Sequence, residues 1–343
     1  MGEADAPIAG VMRIVLENQT FDKDVNNLGQ VMLSLVVPVF NEAESIRHFV
    51  AGVDEAMAVA WPEPQIAPKL EIIFIDDGST DGTSLVVRSL RKEDKRLKLL
   101  TLSRNFGKEA ALSAGLDAAS GNAAIPMDVD LQDPPEVIRP MVEKWLAGAK
   151  VVNARRCDRS SDTLFKRGTS RLFYRTINMV ADHKIADDVG DFRLLDRDAI
   201  EVLKQMTEHT RFNKGLFSWI GFTTETVEYV RPEREVGTSK WRTLKLLNLA
   251  LDGIVSSTTL PLRIWTIIGA LISLGAVAYS AFLLVYTLTQ GADVPGYASI
   301  MIAVLMLGGL NLLSLGLIGE YLGRVAIQVR GRPLYVIESR EGF

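Results

Sequence analysis

The run Met127-Asp128-Val129-Asp130-Leu131-Gln132-Asp133-Pro134-Pro135 closes an apolar stretch, and its residue types point to metal chemistry. Two carboxylates two positions apart at a strand end can share one hard divalent cation through oxygen, leaving coordination sites open for a diphosphate. Magnesium or manganese held by Asp128 and Asp130 would neutralise charge on a departing nucleoside diphosphate. Asp-x-Asp alone is a common pattern; its place after the fourth strand of an α/β alternation gives it weight. Pro38-Val39-Phe40-Asn41-Glu42 follows the first strand of that alternation and Asp76-Asp77-Gly78-Ser79-Thr80-Asp81 the second. Each cluster on its own consists of residues favoured in turns and caps. Three such strand ends on one sheet edge are better explained as a site for a nucleoside and its metal.

The elements that must position these clusters begin at Val31. Apolar runs at Leu33 to Phe40, Leu70 to Ile75, Lys98 to Leu102, Ala123 to Met127 and Lys150 to Asn153 read as strands. Helices are expected at Glu42 to Val59, Gly82 to Leu90, Lys108 to Ala118 and Glu136 to Leu146. In the first helix Ile46, Phe49, Val50 and Val53 share one face, and Asn41 with Glu44 three residues later reads as a capping box. Strands separated by helices predict an α/β fold with a Rossmann-like, mainly parallel sheet that binds ligands at the carboxyl ends of its strands.

Composition divides the chain. Of 343 residues 48% are hydrophobic, yet Ile264 to Ala292 and Val294 to Gly319 contain no charged side chain. Each exceeds the roughly 20 apolar residues that cross a bilayer. Lys240, Arg242, Lys245 and Arg263 precede the first stretch, Arg324, Arg330 and Arg332 follow the second, and the connection carries only Asp293. The positive-inside rule then predicts a transmembrane helical hairpin with both flanks cytoplasmic. Residues 161–182 interleave Leu164, Phe165, Leu172, Phe173, Ile177 and Val180 with Lys166, Arg167, Arg171 and Arg175, a basic amphipathic segment suited to an anionic membrane surface. The expected plan is an N-terminal extension (1–30), a catalytic domain (31–240), a juxtamembrane helix (241–260), two spans (261–319) and a cytoplasmic tail (320–343). With no basic and apolar leader at the N-terminus, the catalytic part is expected in the cytoplasm. A lone Cys157 excludes an internal disulfide, and His48, His183 and His209 lack the spacing of a zinc site. A net charge of −4 argues against a nucleic-acid partner.

Together the three acidic clusters resemble family 2 glycosyltransferases of the GT-A fold. More narrowly the chain is similar to the polyprenyl-phosphate glycosyltransferases, which include GtrB-type bactoprenol glucosyltransferases and dolichol-phosphate mannose synthases. That narrower likeness rests on Ser103-Arg104-Asn105-Phe106-Gly107-Lys108, Lys166-Arg167 with Ser170-Arg171-Leu172-Phe173-Tyr174, Gly190-Asp191-Phe192-Arg193-Leu194 and Gly237-Thr238-Ser239-Lys240-Trp241. Gly319-Glu320-Tyr321-Leu322-Gly323-Arg324 and Gly331-Arg332-Pro333-Leu334-Tyr335 also look like the tail of two-span members. The resemblance implies that Pro38, Phe40, Asn41, Glu42 and Asp77 cradle base and ribose, with Lys108 also on the nucleotide-sugar. It puts Asp128 and Asp130 on the metal and Gln132 beside the sugar, and makes Asp130 and Asp191 the catalytic pair, Asp191 as general base or positioning group. Arg155, Arg234, Ser239 and Lys240 are implied around the acceptor phosphate, with Arg167 and Arg171 guiding it from the membrane.

The implied reaction is a single inverting transfer of a hexose from a nucleotide-sugar to undecaprenyl phosphate, without a covalent enzyme intermediate. A UDP-sugar such as UDP-glucose is the expected donor, with GDP-mannose the alternative. A homo-oligomer is implied, a tetramer being the form suggested. A processive polysaccharide synthase would need a Gln-x-x-Arg-Trp run and more spans, and a dinucleotide oxidoreductase Gly-x-Gly-x-x-Gly after the first strand; neither is present. A non-catalytic membrane scaffold is the remaining alternative, and the intact Asp128, Asp130 and Gln132 speak against it.

Overall fold

The computed structural model describes residues 25–157, 189–206, 208, 213–230 and 296–343, with scattered positions between 268 and 289. A 3-10 turn (Val25–Gln30) leads into β1 (Met32–Val39), α1 (Ser45–Ala60), β2 (Lys69–Asp76), α2 (Thr83–Arg91), β3 (Leu97–Leu102), α3 (Lys108–Ala118) and β4 (Ala123–Pro126). After a second 3-10 turn (Pro135–Val137) come α4 (Ile138–Leu146), β5 (Val151–Arg156), β6 (Val189–Asp196), α5 (Arg197–Gln205), α6 (Asn213–Trp219) and β7 (Thr224–Tyr229). A long helix α7 (Tyr297–Val329) and the strand β8 (Ile337–Glu341) complete the described chain.

The central strands are buried on both faces, which is why they read as continuous apolar runs rather than alternations. On one face Leu33, Leu35, Val37, Ile72, Phe74 and Leu99 pack against Ile46, Phe49 and Val53 of α1 and Met141 and Trp145 of α4. On the other, Val36, Ile73, Ile75 and Leu100 meet α3 and α5. The small residues of α3 allow that approach: a Cβ on Gly115 would stand 2.3 Å from Val36 Cγ1. This is a three-layer α/β/α arrangement.

The eight strands lie in the order β7-β5-β6-β4-β1-β2-β3-β8. Ladders β1/β2, β1/β4, β2/β3 and β5/β7 are parallel, as expected for strands joined through helices. The sheet is nevertheless mixed, because β6 inserts antiparallel between β4 and β5, and β8 adds antiparallel to β3. Antiparallel entry makes β6 start at the edge where β4 and β5 end. Gly190 and Asp191 are thereby delivered beside Asp128.

The capping box at the start of α1 is not formed. Helix α1 begins at Ser45, and its N-cap Glu44 makes no side-chain cap bond. Asn41 instead adopts a left-handed backbone (φ 56°), and its side-chain oxygen accepts from the Thr80 N–H at 2.8 Å. The amide satisfies the neighbouring loop rather than its own helix, an alternative open to any short polar side chain.

Among the described residues no helix is long and apolar enough to cross a membrane. The first expected span lies mostly outside the described residues, as do residues 161–182 and 241–260. The second falls within α7, which continues past Gly319 through Glu320 and Arg324 to Val329. Ile300, Val304, Leu315 and Leu322 on it are exposed.

Beyond α7 the chain returns to the sheet. Thr101 pairs with Ser339 and Leu99 with Glu341, the Ser103 N–H donates to the Val336 carbonyl at 2.9 Å, and Glu341 accepts from Arg88 at 2.7 Å and Arg91 at 3.3 Å. β8 thus covers an edge that would otherwise expose unpaired backbone groups. Truncation after Arg330 is expected to lower the melting temperature of the detergent-solubilised protein by about 5 °C, roughly what a loss of 1–2 kcal/mol does to a domain of this size, and to promote aggregation. An unchanged melt would show that β8 contributes nothing to the fold.

Candidate active site

The loops after β1 and β2 are stitched together by their own polar side chains. Ser79 Oγ accepts from the Asn41 N–H at 2.9 Å, Thr83 Oγ1 from Glu42 at 3.0 Å and Asp81 Oδ2 from Ala43 at 3.1 Å. The Glu42 carboxylate accepts from the Ser45 hydroxyl. Pro38 ends β1 half-buried, and Phe40 stands 43% exposed above this seam. An exposed aromatic beside a pre-ordered polar loop is a surface on which a planar base can stack.

Asp77 does something its sequence context did not disclose. It is buried, and its two carboxylate oxygens accept from the backbone N–H groups of Phe106 at 2.7 Å and Gly107 at 2.8 Å. Burial pushes its pKa above the usual carboxylate range, and the two N–H donors oppose that rise. The bonds fix the turn before α3, where Gly107 has φ 99°, a value that an L side chain rarely adopts. They also explain the tight fit at Gly78, whose added Cβ would meet the Arg104 carbonyl carbon at 2.8 Å.

α3 starts directly after that turn, with Lys108. Its ammonium lies 2.6 Å from Asp128 Oδ1 and 3.1 Å from Asp191 Oδ2. Crowding around the ammonium opposes its charge, but the two carboxylates more than offset this and hold its pKa well above the ordinary lysine range. Asp128 follows β4, Asp191 opens β6, and Lys108 bridges them from the opposite layer.

The Asp-x-Asp turn is itself held under tension. Leu131 has φ 52°, unusual for a bulky residue, and Asp130 Oδ1 accepts from the Gln132 N–H at 3.2 Å. Leu131 packs closely over Gly52 of α1, where an added Cβ would stand 2.9 Å from Leu131 Cδ1. Asp133 is buried and accepts from the Tyr229 hydroxyl at 2.9 Å, which ties the end of the run to β7.

Arg155 sits at the same sheet edge, at the end of β5. Its guanidinium pairs with Glu228 directly across the β5/β7 ladder, with both side chains about half exposed. An exposed pair of this kind is worth little and can be exchanged for an anionic ligand. Arg167, Arg171, Arg234, Ser239 and Lys240 lie outside the described residues.

Residues 34–204 match the model for Glycosyl transferase family 2, and residues 260–325 match the GtrB C-terminal hairpin. The chain is 48% identical over 307 residues to the SfII prophage-derived bactoprenol glucosyl transferase of Shigella flexneri, covering 90% of this chain and 97% of that protein. The chain belongs to the family 2 glycosyltransferases. This glycosyltransferase is also 46% identical over 313 residues to an uncharacterized glycosyltransferase of Synechocystis, covering 91% of this chain and 96% of that one. With the glycosyltransferase YkcC of Bacillus subtilis it shares 39% over 313 residues, 91% and 95% of the two chains.

One positioning residue of this glycosyltransferase escaped the sequence reading. Arg193 is 4% exposed, donates to the Gly190 carbonyl at 2.7 Å and lies with its guanidinium 4.2 Å from the centre of the Phe217 ring. It shares a strand face with Asp191 two residues earlier. The two-residue spacing of Asp191 and Arg193 is the sequence signal of that shared face, muted by the glycine and aspartate near the start of β6.

Replacing Asp77 by Asn leaves one of two buried N–H groups without its acceptor, at a cost of about 1–3 kcal/mol. The turn before Lys108 loosens, and the expected readout is a several-fold rise in donor KM with a lower melting temperature. An unchanged donor KM would remove the link from Asp77 to Lys108. Asp191→Asn is expected to cost about tenfold in rate with the pH profile preserved, short of the 10²–10⁴ that a general base contributes. Loss of the ascending limb of the profile would instead identify Asp191 as the base.

Proposed function

We propose that this enzyme transfers a hexose from a nucleotide-sugar, UDP-glucose or another UDP-sugar, to undecaprenyl phosphate at the cytoplasmic face of the membrane. The observation that carries the reading is the 48% identity to a bactoprenol glucosyl transferase, because the match runs through both the catalytic part and the region of the C-terminal hairpin. The lipid-linked monosaccharide so made would serve envelope or surface-polymer modification. The charge-free stretches within 261–319 then anchor the enzyme as a multi-pass inner-membrane protein with its catalytic domain and both ends cytoplasmic, in a homo-oligomer.

The residues present fit a divalent ion. Asp128 already takes a cationic partner, and carboxylate oxygens suit hard cations. Asp128 and Asp130 would hold magnesium or manganese, which when bound supplies charge neutralisation to the leaving diphosphate. The base lies against Phe40 and the loops ordered by Asn41, Glu42 and Asp77, with Pro38 closing β1 beneath it, and Gln132 reaches the sugar. Lys108 adds positive charge next to the diphosphate. The acceptor phosphate is an anion that needs little deprotonation and much positioning. Arg155 takes it from one side, while Arg234, Ser239 and Lys240 close over it and Arg167 and Arg171 guide it from the membrane. A lipid phosphate oxygen then displaces the diphosphate in one step, with inversion at the anomeric carbon.

The test is transfer from labelled UDP- and GDP-sugars to undecaprenyl phosphate in detergent, with magnesium, manganese or chelator. One UDP-sugar is expected to give a charged lipid product that disappears with chelator. Asp130→Asn should keep the fold and lose at least about a hundredfold in rate, the scale of removing a transition-state electrostatic contact. Product from GDP-mannose alone would replace the donor assignment, and full activity in Asp130→Asn would overturn the metal assignment.

A further inference from the structure

Lys108 occupies the position that a cation on Asp128 needs. Its ammonium contacts Asp128 Oδ1 at 2.6 Å, a short charge-assisted hydrogen bond, and is steadied from the far side by Asp191 at 3.1 Å. Among the described residues no group of three or more His, Cys, Asp or Glu side chains stands close enough to hold a metal ion. A divalent ion at this edge therefore finds two aspartates, one of them already occupied by a positive charge. Asp191, the further carboxylate at this edge among the described residues, faces the same ammonium. Hard ions with so few protein ligands depend on substrate phosphates to complete their shell.

On these contacts, and resting on the nucleotide-sugar reading above, we infer that Lys108 is a place-holding cation that couples metal entry to donor binding. In the donor-free site it neutralises Asp128 and Asp191 and keeps a divalent ion off Asp128. The diphosphate of an arriving donor brings two negative charges to the same place and draws the ammonium to its own oxygens. Lys108 stays within reach of Asp191, which retains it at the cleft, while Asp128 is released to the metal. The exchange leaves the ammonium with two charge contacts and adds one for the metal: the ammonium trades a carboxylate for a phosphate and the metal takes the carboxylate. Lysine suits the task better than arginine would for a fixed pair, because its compact ammonium turns on a flexible stem without breaking a bidentate geometry. The turn that Asp77 clamps sets where that stem begins.

Two measurable properties follow. Manganese should bind weakly without nucleotide and far more tightly with it, and by reciprocity UDP should gain the same factor from manganese. Removing the ammonium should abolish most of that coupling by strengthening metal binding to the donor-free protein.

The experiment is manganese binding to the full chain in detergent, followed by the electron paramagnetic resonance of free Mn2+, with and without UDP. The wild type is expected to bind at least about tenfold more tightly with UDP, a coupling of about 1.4 kcal/mol. Lys108→Gln should bind manganese without UDP about tenfold more tightly than the wild type, as removal of a competing charge implies, and show little further gain from UDP. Lys108→Arg, which keeps the charge but holds the aspartates in a rigid fork, should bind manganese without UDP as weakly as the wild type and gain less from UDP. Equal nucleotide-free affinity in the wild type and Lys108→Gln would overturn the proposal while leaving the donor reading intact. Should Lys108→Gln not fold, the wild type decides alone: manganese bound equally tightly with and without UDP overturns the place-holder. No manganese binding under either condition removes the metal-dependent reading and the proposal together.

Discussion

Asp128 and Asp191 open onto the same cleft from neighbouring strands, and the ammonium of Lys108 lies between them, 2.6 Å from one and 3.1 Å from the other. A sheet edge that collects this much negative charge needs a fixed positive one, and the rest of the architecture supplies it. α3 must begin at Lys108 and nowhere else, so the turn before it is held by a buried carboxylate, Asp77, directly after β2. β6 must run against its neighbours, so that Asp191 arrives at its beginning rather than at its far end. Arg193, two residues on, keeps that beginning in place through the Gly190 carbonyl. The antiparallel insertion that makes the sheet mixed is therefore the same feature that completes the site.

Strain and satisfaction are divided unevenly over this edge. The loops after β1 and β2 are pre-ordered by reciprocal hydrogen bonds, with Asn41, Ser79, Thr80, Asp81 and Thr83 serving one another. The Asp-x-Asp turn instead carries a bulky residue in a left-handed conformation, pressed against α1 at a glycine. Backbone strain of this type costs about 1–3 kcal/mol and persists where surrounding packing over-determines it. The loops after β1 and β2 are thus rigid by construction, while the Asp-x-Asp turn is rigid because it is confined.

Much of the site could be read from the chain because its residues follow strands directly. β1 through β5 are legible as apolar runs, and those of β1, β2 and β4 lead into the three acidic clusters. What escaped was whatever depended on pairing at a distance. Asn41 and Glu44 match a capping box in spacing, but Asn41 found a better donor in Thr80 across the cleft. The bonds of Asp77 to backbone groups 29 and 30 residues later were not visible in its local sequence. β6 has glycine and aspartate, poor strand formers, at its second and third positions and is held by neighbours on both sides. β8, with the sequence Ile-Glu-Ser-Arg-Glu, has no apolar run at all; it is an edge strand held by main-chain bonds and by Arg88 and Arg91. Its charges made it look like a solvated tail.

That last strand bears on how the molecule is made. The groove it fills lies on β3, more than 230 residues earlier in the chain, and everything between, including the region that matches the C-terminal hairpin, is synthesised first. Loops of this length close slowly, since the entropy of bringing their ends together is lost before the contact repays it. A nascent chain therefore carries an open sheet edge throughout translation of the hairpin region. The fold is sealed only when the hairpin region has been completed and the strand beyond it comes back.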